Sequence, residues 1–301
     1  MRVNMTRVDL ILLCMVVVWG ANITVIKVAL QHFDPLVFNF FRFLIASGVM
    51  LLLYRDALKD RMDKKELFSL MILGVLGNTI YQLLFINGVK LTLVSHTSIL
   101  LGTTPIFTAA FASWTGFDDV RKRIWAGILL SFCGVILIVF GGNQPGIEKL
   151  SANIGDLFIL IASFVWSIYT TYSRNVIREY SSRHYLLYTV VFGTFFMIPF
   201  SVRPILHQNW EIVTTYDFAA LSFSALLALV FGYSAWYYGV EKLGSTRTSV
   251  YSNLTPVAGM AIGMIFLHER LSLLQWLGAA VIFTGLLLNR LTQPALSPAA
   301  E

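Results

Sequence analysis

Long apolar runs separated by short polar breaks make up almost the whole chain. The runs are continuous rather than alternating, and each is close to the roughly 20 residues that a helix needs to cross a bilayer. This pattern favours helices over a barrel of alternating strands and predicts ten transmembrane helices. The predicted spans are residues 9–30, 35–54, 66–88, 95–115, 124–141, 155–177, 184–203, 217–239, 246–267 and 272–290.

The segment from Gly239 to Asn289 repeats an earlier part of the chain. Shifted back by 151 residues, it aligns without a gap over 47 positions and matches the residue type at 11 of them. Shared apolar composition would rarely align two tryptophans and a Thr-Pro pair, so we interpret the match as an internal duplication. The matched residues of the first copy are Gly88, Val89, Thr97, Ser98, Thr104, Pro105, Ala110, Trp125, Gly127, Phe132 and Gly134.

The beginning of the chain is repeated as well, at an offset of 147 residues, where Trp19 matches Trp166 and Asp9 matches Asp156. Each copy contains five spans, and because five is odd, the second copy enters the membrane from the opposite side. The sequence therefore predicts an all-α integral membrane protein of two inverted five-helix repeats around a central cavity, an arrangement typical of secondary transporters. The predicted division is residues 1–8 for a cytoplasmic N-terminus, 9–141 for repeat 1, 142–152 for a periplasmic linker, 153–290 for repeat 2 and 291–301 for a disordered cytoplasmic tail.

Composition and charge support a membrane protein. Hydrophobic residues make up 57% of the 301 residues and charged residues only 13%, against about 25% charged residues in soluble domains. The net charge of +6 does not indicate a nucleic-acid partner, because the basic residues lie in short loops between apolar runs. With the N-terminus inside, 16 Lys and Arg residues fall on the cytoplasmic side and five outside, which predicts cytoplasmic termini. Cys14 and Cys133 lie within apolar runs, so we expect no disulfide and no metal site.

An ordered set of short motifs accompanies the two repeats. Together they resemble the drug/metabolite transporter superfamily, specifically the EamA-type ten-helix exporters, over residues 8–290. The first repeat departs at one position, where Asp118 stands opposite Glu269. The resemblance implies an inner-membrane carrier with a central cavity that exports amino acids or other metabolites, and the aromatic amino-acid exporters are similar in architecture. The motifs are Trp19-Gly20, Phe41-Arg42-Phe43, Thr104-Pro105, Trp166-Ser167, Thr255-Pro256, His268-Glu269-Arg270-Leu271 and Gln275-Trp276-Leu277-Gly278-Ala279.

Polar and aromatic side chains within the spans are the candidates for a substrate cavity. Trp19 lies ten residues into the first span, about 15 Å deep, near the midplane rather than at the interface that tryptophan prefers. Aromatic and amide groups at this depth suit an organic solute with apolar and polar parts, while interhelical packing and hydrogen bonding are the alternative. The candidate residues are Trp19, Asn22, Asn78, Tyr81, Gln82, Ser98, Trp166, Tyr169, Tyr233, Trp236, Tyr237, Ser252 and Asn253.

Three further residues are candidates for gating or hinge motion. Pro105 and Pro256 each lie inside a predicted span, where proline removes a backbone donor and kinks the helix. Arg42 is the deepest charge, roughly 10 Å from the outer end of its span. It could attract a substrate carboxylate or gate the outer side. A structural role, with bonds to helix-end carbonyls, is favoured because the resemblance places arginine here irrespective of substrate.

The absence of several motifs narrows the range of functions that the sequence allows. No Asp or Glu lies in the middle of a span and no ATP-binding P-loop is present, which leaves facilitated diffusion, exchange or weakly coupled export. The five histidines are scattered, without paired carboxylates or metal-ligand spacing, so a membrane-embedded transferase is a poor alternative and no cofactor is expected. Charge rings or a carbonyl filter of a channel are not visible. The oligomeric state cannot be read from the sequence, and a monomer is compatible with it.

The prediction is a carrier of small molecules in the lipid bilayer of the inner membrane, with amino acids, aromatic or apolar ones in particular, as its substrates. A multidrug or nucleoside/nucleobase exporter of the same fold is the alternative. A sugar-phosphate or nucleotide-sugar antiporter ranks third, because several basic residues should then line the cavity, and only Arg42 and Lys27 are candidates for that.

Overall fold

The computed structural model is all-helical in the residues that it describes, which are 5–60, 62–92, 94–117, 120–141, 154–266 and 272–291. The predicted linker, the C-terminal tail, Asp118 and Glu269 lie outside these ranges. Six of the helices, α1, α2, α3, α7, α8 and α9 below, are long and apolar enough to cross a membrane. The helices are α1 Arg7–Ala29, α2 Pro35–Leu53, α3 Lys64–Leu91, α4 Val94–Leu101, α5 Thr104–Thr115, α6 Lys122–Gly141, α7 Ile154–Glu179, α8 Ser182–His207, α9 Thr215–Leu243, α10 Ser245–Tyr251, α11 Thr255–Phe266 and α12 Leu273–Leu291.

The fourth and ninth predicted spans are each divided into two helices. The fourth consists of α4 and α5, and the ninth of α10 and α11 with a single 3₁₀ turn, Ser252–Leu254, between them. The sequence predicted a kink at each proline, and the structure instead begins a new helix one residue before it. Pro105 occupies the first turn of α5, where its missing N–H has no intrahelical partner to lose.

Side-chain caps fix where several helices begin. The hydroxyl of Thr6 and the carboxylate of Asp9 form a capping box at the start of α1, and Thr214 and Asp217 form another at the start of α9. Asp34 caps α2 directly before Pro35. Each cap satisfies backbone N–H groups that a helix terminus leaves without partners.

The two repeats are related by a pseudo-two-fold axis in the membrane plane. Some pairs of equivalent residues, one from each copy, contact each other. The two members of such a pair lie next to the axis, on opposite sides of it. Ser47 and Thr194, 147 residues apart, share a hydrogen bond of 2.7 Å. The Gln82 amide donates to the Tyr233 hydroxyl, 151 residues away, over 2.7 Å. Helices α6 and α12 are also equivalent, and they pack against each other antiparallel through their glycines.

Helices α3 and α9 each contain a π-helical segment at the same level of their repeats. These segments are Val75–Ile80 and Ser224–Phe231. Wider π turns change which face of the helix the following residues occupy, and they often mark functional sites. In α9 the carbonyl of Ala228 accepts a 3.0 Å hydrogen bond from the Trp19 indole, so this segment also anchors a tryptophan of α1.

Candidate substrate cavity

A cavity lies between the two repeats, next to the axis that relates them. The space open to the centre of a water-sized sphere is about 90 Å³, several times what one water molecule needs by that measure. Eight of the twelve helices and the 3₁₀ turn contribute to its wall. The lining residues are Trp19, Asn22, Ile23, Arg42, Tyr81, Gln82, Phe85, Ser98, Leu101, Thr104, Trp166, Ala228, Leu229, Tyr233, Trp236, Ser252 and Thr255.

Aromatic rings form one continuous wall of this cavity. The Trp166 ring centroid lies 4.8 Å from that of Tyr81 and 5.3 Å from that of Tyr233. Trp19 lies 5.3 Å from Trp236. Tilted and edge-on rings at these distances attract one another and hold each other in place. The wall therefore presents a preformed apolar surface near the middle of helices α1 and α7.

A polar network lies at another part of the wall and is centred on Arg42 of α2. Its guanidinium donates to Asn39 Oδ1 over 2.9 Å, to Ser224 Oγ over 3.0 Å and to Gln82 Oε1. The amide NH₂ group of Gln82 in turn donates a hydrogen bond to the Tyr233 hydroxyl. All of these partners are neutral, and Arg42 is only 1% exposed.

A tyrosine cluster fills the space between the cavity and the side of the membrane where the chain begins. Tyr185 lies 4.8 Å from Tyr237 and 5.4 Å from Tyr169, measured between ring centroids. Tyr169 also bonds through its hydroxyl to Asn78 and Thr189, over 3.0 and 2.9 Å. All three tyrosines are fully buried.

The structure brings nine of the thirteen candidate cavity residues together around this cavity. They are Trp19, Asn22, Tyr81, Gln82, Ser98, Trp166, Tyr233, Trp236 and Ser252. The prolines do not line it, although Thr104 and Thr255, which precede them, do. Arg42, predicted as a gating residue with a structural role favoured, is part of the wall.

Four of the candidates, Asn78, Tyr169, Tyr237 and Asn253, are not among the residues that line this cavity. Tyr237 and Asn253 directly follow lining residues, and successive side chains on a helix point about 100° apart, so a lining residue does not by itself place its neighbour in the wall. Asn78 lies inside the π segment of α3, which changes its angular relation to the residues that follow. Tyr169 is one turn beyond Trp166 and belongs to the tyrosine cluster.

The sequence did not indicate the apolar part of the lining. Ile23, Leu101 and Leu229 look like any residue that faces lipid, so no sequence signal distinguishes them. Phe85 is the exception, because it lies four residues after Tyr81 and therefore on the same face of α3. Their rings stack with centroids 5.7 Å apart.

Lys27, the second basic candidate for a phosphate site, does not line the cavity. Its ammonium group donates to the carbonyl oxygens of Val89, Lys90 and Thr92 over 2.8, 2.9 and 2.7 Å. These carbonyls terminate α3, where a helix has no internal donors left for them. Lys27 therefore caps the carboxyl end of α3, and Arg42 is the basic residue of the cavity wall.

The family assignment rests on sequence comparison. The profile of the EamA-like transporter family matches the chain twice, over residues 6–140 and 153–291. The chain belongs to the EamA-like transporter family. The two matches coincide with the two repeats, so each copy of the duplication is one EamA-like unit. This transporter is therefore a multi-pass membrane protein, as the apolar spans require.

Relatives of this EamA-like transporter span nearly its whole length. Uncharacterized transporter YyaM of Bacillus subtilis (strain 168) is 29% identical over 273 residues, which cover 89% of this chain and 88% of the relative. An uncharacterized transporter of Archaeoglobus fulgidus is 28% identical and covers 96% of this chain and 99% of its own. Uncharacterized inner membrane transporter YedA of Escherichia coli (strain K12) is 23% identical, over 96% and 94%.

A solved crystal structure shows the same fold. It superposes with a TM-score of 0.78 and covers 96% of this chain and 100% of the other, with 16% sequence identity. The similarity extends over both repeats of this chain.

Proposed function

We propose that this transporter carries amino acids, those with aromatic or apolar side chains in particular, across the inner membrane by alternating access. The observation that supports this most directly is the aromatic wall at the pseudo-two-fold axis. A cavity between inverted repeats is where secondary transporters bind their substrates, and alternate rocking of the repeats would open it to either side.

The residues that line the cavity suit both the side chain and the polar end of such an amino acid. Aromatic rings stack with a planar or branched apolar side chain, and their faces attract an ammonium group. Asn22 is 7% exposed, and its Oδ1 has no hydrogen-bond partner among the described residues. A buried amide oxygen in a cavity wall is costly unless a donor reaches it. An N–H group of the substrate would supply that donor.

The divided spans are the hinges in this proposal. Thr104 and Thr255 line the cavity at the point where α5 and α11 begin, each directly before a proline. Rotation at these breaks would change the cavity wall without disrupting an intact helix, because the hydrogen bonds are already interrupted there. Pro105 and Pro256 therefore remain our gating candidates.

A nucleoside, a nucleobase or a planar drug is the alternative substrate, and the same wall favours it. Flat rings stack on aromatic side chains irrespective of what they carry, and the amides of Asn22 and Gln82 could bond to the edge of a base. Uptake measurements separate the two classes.

Uptake into proteoliposomes tests the proposed function. We expect saturable uptake of labelled phenylalanine, tryptophan or tyrosine that is accelerated by unlabelled amino acid inside, relative to liposomes without protein. An imposed pH gradient reports whether protons are coupled to transport. If the whole amino-acid panel gives no uptake while a labelled nucleoside is taken up saturably, the amino-acid assignment is wrong.

The distribution of basic residues predicts that both termini lie in the cytoplasm. Fusion of a fluorescent protein after Glu301 should give fluorescent cells, and fusion of alkaline phosphatase at the same place should be inactive. An insertion of the phosphatase in residues 208–214, between α8 and α9, should be active as the matched control. The reverse pattern would contradict the predicted orientation.

A further inference from the structure

The charge of Arg42 lacks a compensating carboxylate. No Asp or Glu is among the residues that line the cavity, and the ion pairs found in the described part of the chain involve other residues. Removing a guanidinium from water is costly unless an opposite charge accompanies it. An unpaired charge inside a membrane protein is therefore a candidate for a function.

Arg42 keeps hydrogen-bonding capacity after its protein partners are counted. A guanidinium carries five N–H donors, and three are used on Asn39, Ser224 and Gln82. One donor remains on each terminal nitrogen. Two parallel donors of this kind match the two oxygens of a carboxylate.

Tyr233 adds a third donor to the same place. Because Arg42 can only donate, Gln82 must present its oxygen to the guanidinium and its NH₂ group to the tyrosine. The Tyr233 oxygen thus accepts a hydrogen bond, and its own O–H group can donate to another acceptor. Tyr233 and Arg42 both line the cavity and both contact Gln82, so an anion bound beside them would accept hydrogen bonds from both.

The other repeat shows that the fold does not need an arginine at this position. Residue 189, 147 positions after Arg42, is a threonine, and its hydroxyl bonds to the Tyr169 hydroxyl over 2.9 Å. A neutral network of hydroxyl and amide groups satisfies the equivalent place. The cavity therefore carries a positive charge at one end only. A single buried charge is unfavourable for the packing of helices, but it is suitable for orienting a solute.

We propose that Arg42, assisted by the Tyr233 hydroxyl, binds the carboxylate of the transported solute and excludes solutes that lack one. This inference rests on the proposed carrier function and names the group that the carrier selects. Amines without a carboxylate and uncharged nucleosides would leave the buried guanidinium without an opposite charge. The aromatic wall then holds the remainder of the solute.

Matched phenylalanine analogues test this inference on the wild-type transporter. Phenylalaninamide and phenylethylamine lack the carboxylate, and 3-phenylpropionate lacks only the ammonium group. We expect the first two to compete with labelled phenylalanine about 100-fold less well than phenylalanine itself. Equal competition by phenylalanine and its amide would overturn the inference while leaving the amino-acid carrier intact.

Variants then connect this selectivity to Arg42. We expect Arg42→Gln to abolish the preference for phenylalanine over its amide. Arg42→Lys should retain part of this preference, because lysine keeps the positive charge but lacks the two parallel N–H donors of the guanidinium. Tyr233→Phe should weaken carboxylate binding about tenfold. Arg203→Gln, an exposed arginine in α8, is the matched control and should behave as wild type. A preference that persists in Arg42→Gln overturns the proposal.

The outcome for other solutes separates this inference from the proposed function. Uptake of 3-phenylpropionate without uptake of any amino acid would show the amino-acid assignment to be wrong and carboxylate recognition to be right, provided that Arg42→Gln removes it. If only nucleosides or amines are transported, both proposals are wrong. Should Arg42→Gln not fold, the analogue series on the wild type decides alone.

Discussion

Replacement of Trp166 by alanine should reduce saturable uptake by more than about tenfold. The Trp166 ring lies between those of Tyr81 and Tyr233, with centroids 4.8 and 5.3 Å away, and 5.9 Å from that of Trp236. Each aromatic pair contributes about 0.5–1.5 kcal/mol beyond its buried area, and about 1.4 kcal/mol corresponds to a factor of ten. Loss of the Trp166 ring removes its contacts with these three rings and enlarges the cavity.

Initial rates of uptake, measured against protein recovered in the vesicles, give the size of this effect. Trp166→Phe keeps an aromatic ring and should restore part of the rate. Trp114→Ala is the same substitution at a residue of α5 that is 82% exposed and outside the cavity lining, and it should transport normally. If Trp114→Ala and Trp166→Ala lose activity equally, a general effect on the protein explains the loss, and the cavity assignment fails.

Much of the fold could be predicted because the duplication constrains it. A match at 151 residues that includes Trp125 with Trp276, combined with an odd number of spans per copy, leaves little choice other than an inverted repeat. The π segments of α3 and α9 could not be predicted. Residues 75–80 and 224–231 carry no sequence pattern that distinguishes them from an α-helical membrane segment, and their wider turns depend on neighbouring helices.

The sequence could predict how far along each span the candidate residues lie, but not which face of each helix meets the cavity. Counting residues along α1 placed Trp19 near the midplane, because the rise per residue of a helix is fixed. Membrane helices are apolar on every side, so periodicity does not reveal which face meets the cavity. Lys27 and Arg42 illustrate the difference: both are basic and lie within helices, and only the position of the α3 carboxyl end shows that Lys27 is a helix cap.

Replacement of Gly134 by valine should destabilise the protein more than any change in the cavity. A Cβ atom on Gly134 would lie 2.7 Å from the carbonyl oxygen of Gly278 and 2.6 Å from the Ile282 side chain. A Cβ on Gly278 would meet the Gly134 carbonyl at the same 2.7 Å. Close approach of small residues is what joins helices in a bilayer, where the hydrophobic effect contributes little. Backbone cannot move aside as a flexible side chain does, so we expect a loss of about 3 kcal/mol or more.

The symmetric placement of these glycines makes the prediction specific. Gly134 and Gly278 belong to α6 and α12, the equivalent helices of the two repeats, so Gly278→Val should be about as damaging as Gly134→Val. Thermal unfolding of purified protein in detergent, followed by size-exclusion chromatography, measures both. Gly48→Val is the matched control, because a Cβ at Gly48 of α2 would meet nothing within 4 Å. If Gly134→Val unfolds at the temperature of Gly48→Val, the close contact of α6 and α12 is not what holds the two repeats together.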